Sequence, residues 1–228
     1  MKKIIGLVML LTSFGVSAQA DRPEPFTGFS FSVGKHQSEG DFTLSHRGSN
    51  VSLGTLLEVP LMGDMTTYSA RYGWQLGDSN WRLAVSGAVH EGTIGGAIGW
   101  EGYNSAVSFA VASDLQLSAG VEVGAVLGNQ ERMYVSLGAG VVATDLTAGL
   151  TIDTPDGDWS DQKSGGSLGT IYWIGGEYEV AEHFSLELKL NRMAFNAAKA
   201  LDVSGRGQHN LTAELEQTTI GLNVIYRF

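Results

Sequence analysis

The last nine residues, Ile220 to Phe228 (IGLNVIYRF), constrain the fold more than any other stretch of the chain. Ile220, Leu222, Val224, Tyr226 and Phe228 share one parity, and successive side chains of a strand point to opposite faces, so all five share a face. A lipid-facing closing strand needs this pattern. The opening of the chain carries the complementary signal. Lys2 and Lys3 precede the apolar run Ile4 to Val16, which leads into Ser17-Ala18-Gln19-Ala20, a small-x-small site with cleavage expected before Asp21. That 13-residue run is shorter than the roughly 20 helical residues a bilayer core demands, so it reads as a secretion signal over residues 1–20 and not as an anchor.

No later segment offers a membrane helix, yet the chain is 43% hydrophobic, has a mean hydropathy of +0.02 and carries only 17% charged residues. A soluble domain carries about 25%. Low charge without an apolar helix points to strands that turn apolar residues outward into lipid, the other spanning solution that satisfies every backbone group. With no cysteine, closure of the sheet must supply the stability that disulfides give other exported chains. Taking Lys2 and Lys3 from the 14 basic side chains leaves 12 against 24 acidic ones, a net charge of −12 for residues 21–228. Phosphate backbones need basic stripes, so nucleic acid is not an expected partner.

Four phrases read as tight turns: Leu76 to Trp81 (LGDSNW), Val111 to Leu115 (VASDL), Val142 to Leu146 (VATDL) and Val180 to Phe184 (VAEHF). Each joins two alternating segments through two or three polar residues, the hairpin signature. Taken as periplasmic turns they predict an antiparallel up-and-down transmembrane β-barrel of ten strands, near residues 26–36, 65–76, 81–91, 103–111, 115–127, 132–142, 145–153, 167–180, 184–194 and 214–228. The outer connections are then 37–64, 92–102, Gly128 to Glu131, 154–166 and 195–213. The alternative is eight strands, with residues 105–127 as one long strand whose odd positions stay apolar and Gly128 to Glu131 as a periplasmic turn.

Parity assigns a lipid face, for example Phe29, Phe31 and Val33, Leu83 and Val85, Val135 and Leu137, and Leu186, Leu188 and Leu190. Trp74, Trp81, Tyr178, Phe184, Tyr226 and Phe228 gather beside the expected turns, as an inner aromatic girdle would. The opposite parity is mostly Gly, Ser, Thr and Ala, punctuated by Arg71, Arg82, Glu122, Arg132, Glu177, Glu179, Glu187, Lys189 and Arg227. Five bases against four acids suggest a paired network filling the lumen, with Glu122 against Arg132 and Glu187 and Lys189 against Glu177. The other reading of the same groups is a polar channel lining.

The leader, the four turns and the terminal IGLNVIYRF together resemble the bacterial outer-membrane β-barrel superfamily, porin-like and OmpA/OmpX-like. The resemblance implies the outer membrane of a Gram-negative cell. It implies contact with membrane lipid and lipopolysaccharide, and recognition of Phe228 by the barrel assembly machinery during biogenesis. Small members of that superfamily serve as adhesins, structural proteins, narrow pores or enzymes, so the fold does not choose the function. With the closing strand at its end, the chain is expected to lack the peptidoglycan-binding domain of larger members.

Candidate chemistry is sparse. His90 with Glu91 is placed at an outer rim, and His209 lies in the last loop with Ser204, Thr212, Glu214 and Glu216 around it, but no spacing marks a triad. A lipid A deacylase would be expected to show His-x-Ser-Asn near the last strand, where this chain has His209-Asn210-Leu211-Thr212. Asp153, Asp156, Asp158 and Asp161 surround Trp159 in an acidic loop that lacks the twelve-residue calcium pattern. The first outer loop mixes His46, Arg47 and Asn50 with the apolar stretch Leu53 to Met62, which suits a contact site or a lid. The expectation is a non-enzymatic surface or structural barrel with a plugged lumen and no cofactor or metal. Its outer loops would hold any extracellular ligand. A narrow channel and a rim hydrolase are the alternatives.

Overall fold

The computed structural model describes residues 26–48, 52–102, 105–128, 132–155, 157–196 and 209–228. The leader assigned to residues 1–20 and the nucleophile candidate Ser204 lie outside them. Eight antiparallel strands close one barrel in sequence order: β1 (Gly28–Gly48), β2 (Ser52–Gln75), β3 (Trp81–Gly102), β4 (Ser105–Leu127), β5 (Met133–Thr154), β6 (Gly157–Ala181), β7 (Phe184–Asn196) and β8 (His209–Arg227). β1 pairs with β8 from Ser30↔Arg227 to Gly48↔His209, so the alternating segment at the end of the chain is the closing strand.

The ten-strand expectation is therefore corrected to eight, and the reason lies in two of the four turn phrases. LGDSNW and VAEHF do reverse the chain, at Gly77 (φ +60°) and His183 (φ +69°). VASDL and VATDL instead sit inside β4 and β5. In VATDL the outward side chain changes from Ala143 to Asp145 while the strand runs straight on, so the polar residues mark a change of surroundings and not a reversal. In VASDL the extra residue of a β-bulge falls between Ser113 and Gln116. Odd positions Phe109, Val111 and Ser113 face inward before the bulge, and even positions Gln116, Glu122 and Val126 face inward after it. The odd positions of residues 105–127 are thus mostly apolar, as the eight-strand alternative has it, but they change faces midway. Gly128, expected at an outer loop in the ten-strand reading, lies at the same end as the LGDSNW turn. Most of the expected outer loop 37–64 is the continuation of β1 and β2.

Six strands are 21 to 25 residues long, about twice the 9–11 that a tilted spanning strand needs. The outer surface shows where the extra length begins. Moving away from the turns, the outward residue changes from Val33 to Lys35 on β1, Val89 to Glu91 on β3, Ala143 to Asp145 on β5, Leu190 to Arg192 on β7 and Ile220 to Thr218 on β8. One polarity step encircles the barrel. On the turn side of it the outward face is an apolar belt whose lower edge carries Trp74, Trp81, Tyr178, Phe184, Tyr226 and Phe228, all outward and exposed. Phe29 and Phe31 join them, each with its ring 5.9 Å from that of Phe228.

The interior inverts across the same level. Beside the belt it is polar and charged, and beyond it Phe42, Val59, Leu61, Ile94, Val111, Leu146, Met193, Phe195 and Leu215 form a buried apolar core. Phe42 of β1 and Phe109 of β4 meet across the barrel at 5.9 Å. The apolar stretch Leu53 to Met62 is part of this arrangement: Leu57, Val59 and Leu61 turn inward, while Leu56 and Met62 stay exposed on the outer wall. The β2–β3 ladder ends in this region at Met62↔Gly95. The Pro60 carbonyl presses on Gly96 of β3, and a strand residue directs N–H and C=O to the same side, so Pro60 lacks its donor on the side where the ladder stops.

Candidate functional site

The inward residues of the belt build the polar site in layers. On β8 these are Arg227, Ile225, Asn223, Gly221, Thr219 and Gln217, followed by the apolar Leu215 and Ala213. The layer nearest the turns is ionic. Arg71 reaches across the lumen from β2, donating through Nη1 to Glu122 Oε1 on β4 (3.4 Å) and through Nη2 to Glu177 Oε2 on β6 (2.6 Å). The other Glu177 oxygen accepts from Arg227 Nη2, which also donates to Ser185 Oγ (2.8 Å), while Arg227 Nη1 lies 3.7 Å from Glu179. Glu122 accepts in addition from Trp173 Nε1 (2.7 Å) and the Tyr134 hydroxyl (3.2 Å). Phe26 stacks on Tyr134 at 5.3 Å and lies under the Arg227 guanidinium, so an aromatic floor covers the ions on the turn side.

Trp173 can lie this deep because the neighbouring strands offer no side chain beneath it. Gly138 on β5 and Gly120 on β4 face inward against its indole, and a Cβ at either position would collide with the ring. Close approach of this kind is what glycine inside a strand permits.

Of the nine charges expected inside, Arg71, Arg82, Glu122, Glu177, Glu179, Glu187, Lys189 and Arg227 face inward, and Arg132 does not. Arg132 is exposed beside the β4–β5 turn, so the expected Glu122–Arg132 pair is replaced by Glu122 with Arg71. Glu177 is opposite Glu187 in the β6–β7 register but takes both its cations from elsewhere, Arg71 from across the lumen and Arg227 from β8. Lys189 lies over the Trp173 ring at 4.7 Å instead of pairing with Glu177. Arg82 turns to the carbonyls of Ser79 (2.9 Å) and Trp81 (3.2 Å) in the adjacent turn.

A histidine layer follows. Glu187 Oε2 accepts from Asn223 Nδ2 (2.8 Å), and His36 Nε2 meets Asn223 Oδ1 (2.9 Å). His90 is buried in the lumen between Thr67 (2.9 Å at Nδ1) and Ser118 (3.0 Å at Nε2), which corrects its expected place at the rim; Glu91 points outward. Above it Gln116 donates to Gln217 (2.8 Å), and Gln217 donates to Thr219 (3.0 Å), closing an uncharged layer under the apolar core. Trp173, Tyr134, His36 and Asn223 were missed as site residues. The available signal was their inward parity among glycines and serines.

Outside the lumen the acidic hairpin tip sets Asp153 directly opposite Asp158, both exposed, with Trp159 opposite Ile152. Asp156 lies outside the described residues. Among the described residues no group of three or more His, Asp or Glu is disposed to hold a metal ion. His209 pairs with Gly48 along the β1–β8 ladder.

A model of the outer membrane protein β-barrel domain matches residues 6–228. The chain belongs to that family. Its place is accordingly the bacterial outer membrane. No protein of curated function matches the sequence. Solved structures that it is similar to include the outer membrane protease OmpT of Escherichia coli, with 9% identity over 93% of this chain and 99% of that one and a TM-score of 0.49. OprG of Pseudomonas aeruginosa has 12% identity over 89% and 98% at a TM-score of 0.41. Ail of Yersinia pestis, solved in complex with the heparin analogue sucrose octasulfate, has 14% identity over 88% and 100% at 0.35. Likenesses this distant carry no functional argument.

Proposed function

We propose that this outer-membrane barrel is a non-conducting, non-enzymatic surface protein: a belt that anchors it in lipid, a lumen sealed by its own side chains, and a projecting wall that meets the cell exterior. The observation that carries this reading is the filling of the lumen in sequence by an aromatic floor, an ion layer, hydrogen-bonded polar layers and an apolar core. Eight strands enclose a space that side chains just fill. A solute would have to part Phe42 from Phe109 as well as Arg71 from Glu177.

The outward wall beyond the polarity step carries Glu39, Asp41, Asp64, Glu91, Asp114, Asp145 and Glu216. It is the part that stands among lipopolysaccharide headgroups and offers surface to an extracellular ligand. Processing of residues 1–20 and delivery of Phe228 to the assembly machinery belong to the same proposal. The non-enzymatic reading is supported at His90, whose ring nitrogens meet Thr67 and Ser118 with no carboxylate bonded to it, in a buried position. A triad needs an orienting acid and access for substrate.

Proteoliposomes test the reading. Barrels refolded into vesicles should show no swelling in isosmotic arabinose or glycine beyond that of empty vesicles. Swelling that scales with protein content would replace it with the narrow channel.

A further inference from the structure

Between the ion layer and the glutamine layer lies a polar cavity of about 30 Å³, lined by His36, Thr67, His90, Ser118, Lys189 and Asn191 among others. One water needs roughly 10–15 Å³ on this measure, so there is room for one or two. The lining is chemically unfinished. Asn191 is 1% exposed, and among the described residues neither its amide nitrogen nor its oxygen has a partner; His36 Nδ1 is likewise buried and unpartnered among them. Among the described residues no carboxylate lines the cavity or pairs with the ammonium of the half-buried Lys189, which lies 4.7 Å over the Trp173 ring. Buried polar groups left in this state cost folding free energy, and native interiors rarely leave them so.

The hydrogen-bond polarity of the site specifies its occupant. Asn223 gives its NH₂ to Glu187, which leaves Oδ1 to face His36; Nε2 of His36 is then the donor, and Nδ1 is a lone pair. His36 Nδ1 and Asn191 Oδ1 both require a donor, while Asn191 Nδ2 and Lys189 Nζ both require an acceptor. A halide accepts but cannot donate, and a metal cation satisfies neither the amide N–H groups nor the ammonium. Water does both. We propose that this cavity is a resident water site, with one or two molecules joining His36 Nδ1, the Asn191 amide and the Lys189 ammonium. The site places an island of solvent at mid-lumen, closed by the apolar core on one side and the ion layer on the other.

The test is water-selective NOE and ROE spectroscopy on the isotope-labelled, refolded barrel in deuterated detergent micelles. The Asn191 side-chain amide and the His36 ring should show direct cross-peaks to water whose sign marks a long-lived contact and not proton exchange. In Asn191→Leu the His36 cross-peak should weaken or vanish while the heat-dependent gel shift still reports a folded barrel. If that variant does not fold, the wild-type spectrum decides alone. Absence of water contacts at both residues overturns the proposal. So does a shift of the Asn191 amide resonances when chloride is exchanged for bromide, which would make the occupant an anion.

Discussion

Glu177 is the residue on which the ion layer turns, because one carboxylate accepts from Arg71 and Arg227 at once. Removing an acid that holds buried cations is far more damaging than removing an exposed one. Glu177→Ala should lower the stability of the refolded barrel by about 3 to 5 kcal/mol, read as a fall in urea midpoint. Arg132→Ala, at an exposed turn, should stay within about 0.5 kcal/mol. Equal midpoints for the two variants would contradict the layer. At Gly138 the expected effect is steric: Gly138→Leu fills the space under the indole and should cost about 1 to 3 kcal/mol, with Trp173 emission shifted red as the ring is expelled. Unchanged emission would mean that the ring does not lie there. The sequence tells that these residues face inward, since parity is local. It does not tell which ones meet, because Arg71 and Glu177 are on strands that are not neighbours in the sheet, and contact across a lumen follows from barrel closure and side-chain reach.

At the scale of elements, the polarity step and the β2–β3 ladder end are the features with consequences. The segment of β2 from residue 66 to 73 is paired with β1 on one edge and β3 on the other, whereas the segment from 52 to 61 has a ladder only to β1, so its amides that point toward β3 have no strand partner there. Hydrogen exchange should be slow in the first segment and measurably faster at those amides of the second. Uniform protection along β2 would contradict the early end of the ladder at Met62, short of Pro60. The same elements show why strand existence was legible and strand number was not. Alternation picked out β8, the outward face of β7 and both true turns. VASDL and VATDL have the composition of turns because an outward aspartate appears as the strand leaves the apolar belt, and a local reading cannot separate a strand that leaves the membrane from one that turns back. The bulge at Asp114 and Leu115 hid the change further, since mostly apolar odd positions continue past it on the opposite face.

The whole molecule is two opposed solutions to burial stacked in one wall. Within the belt the solvent is lipid, so apolar residues go out and the charges inside are met by ion pairs around Glu177, by hydrogen bonds at Arg82 and Glu187 and by an indole face at Lys189; beyond the polarity step the solvent is water, and the arrangement reverses into an ordinary apolar core. Cysteine is absent, so single cysteines introduced on the outer face report this boundary cleanly. A charged maleimide should leave Val89→Cys and Leu190→Cys unlabelled in vesicles, and should label Thr147→Cys and Asn196→Cys. The most direct test of a sealed lumen is single-channel recording of residues 21–228 refolded into a planar bilayer, with the heat-dependent gel shift as proof of folding. A lumen closed by these layers gives a flat current trace at all applied voltages. Discrete, reproducible steps from folded protein would contradict it.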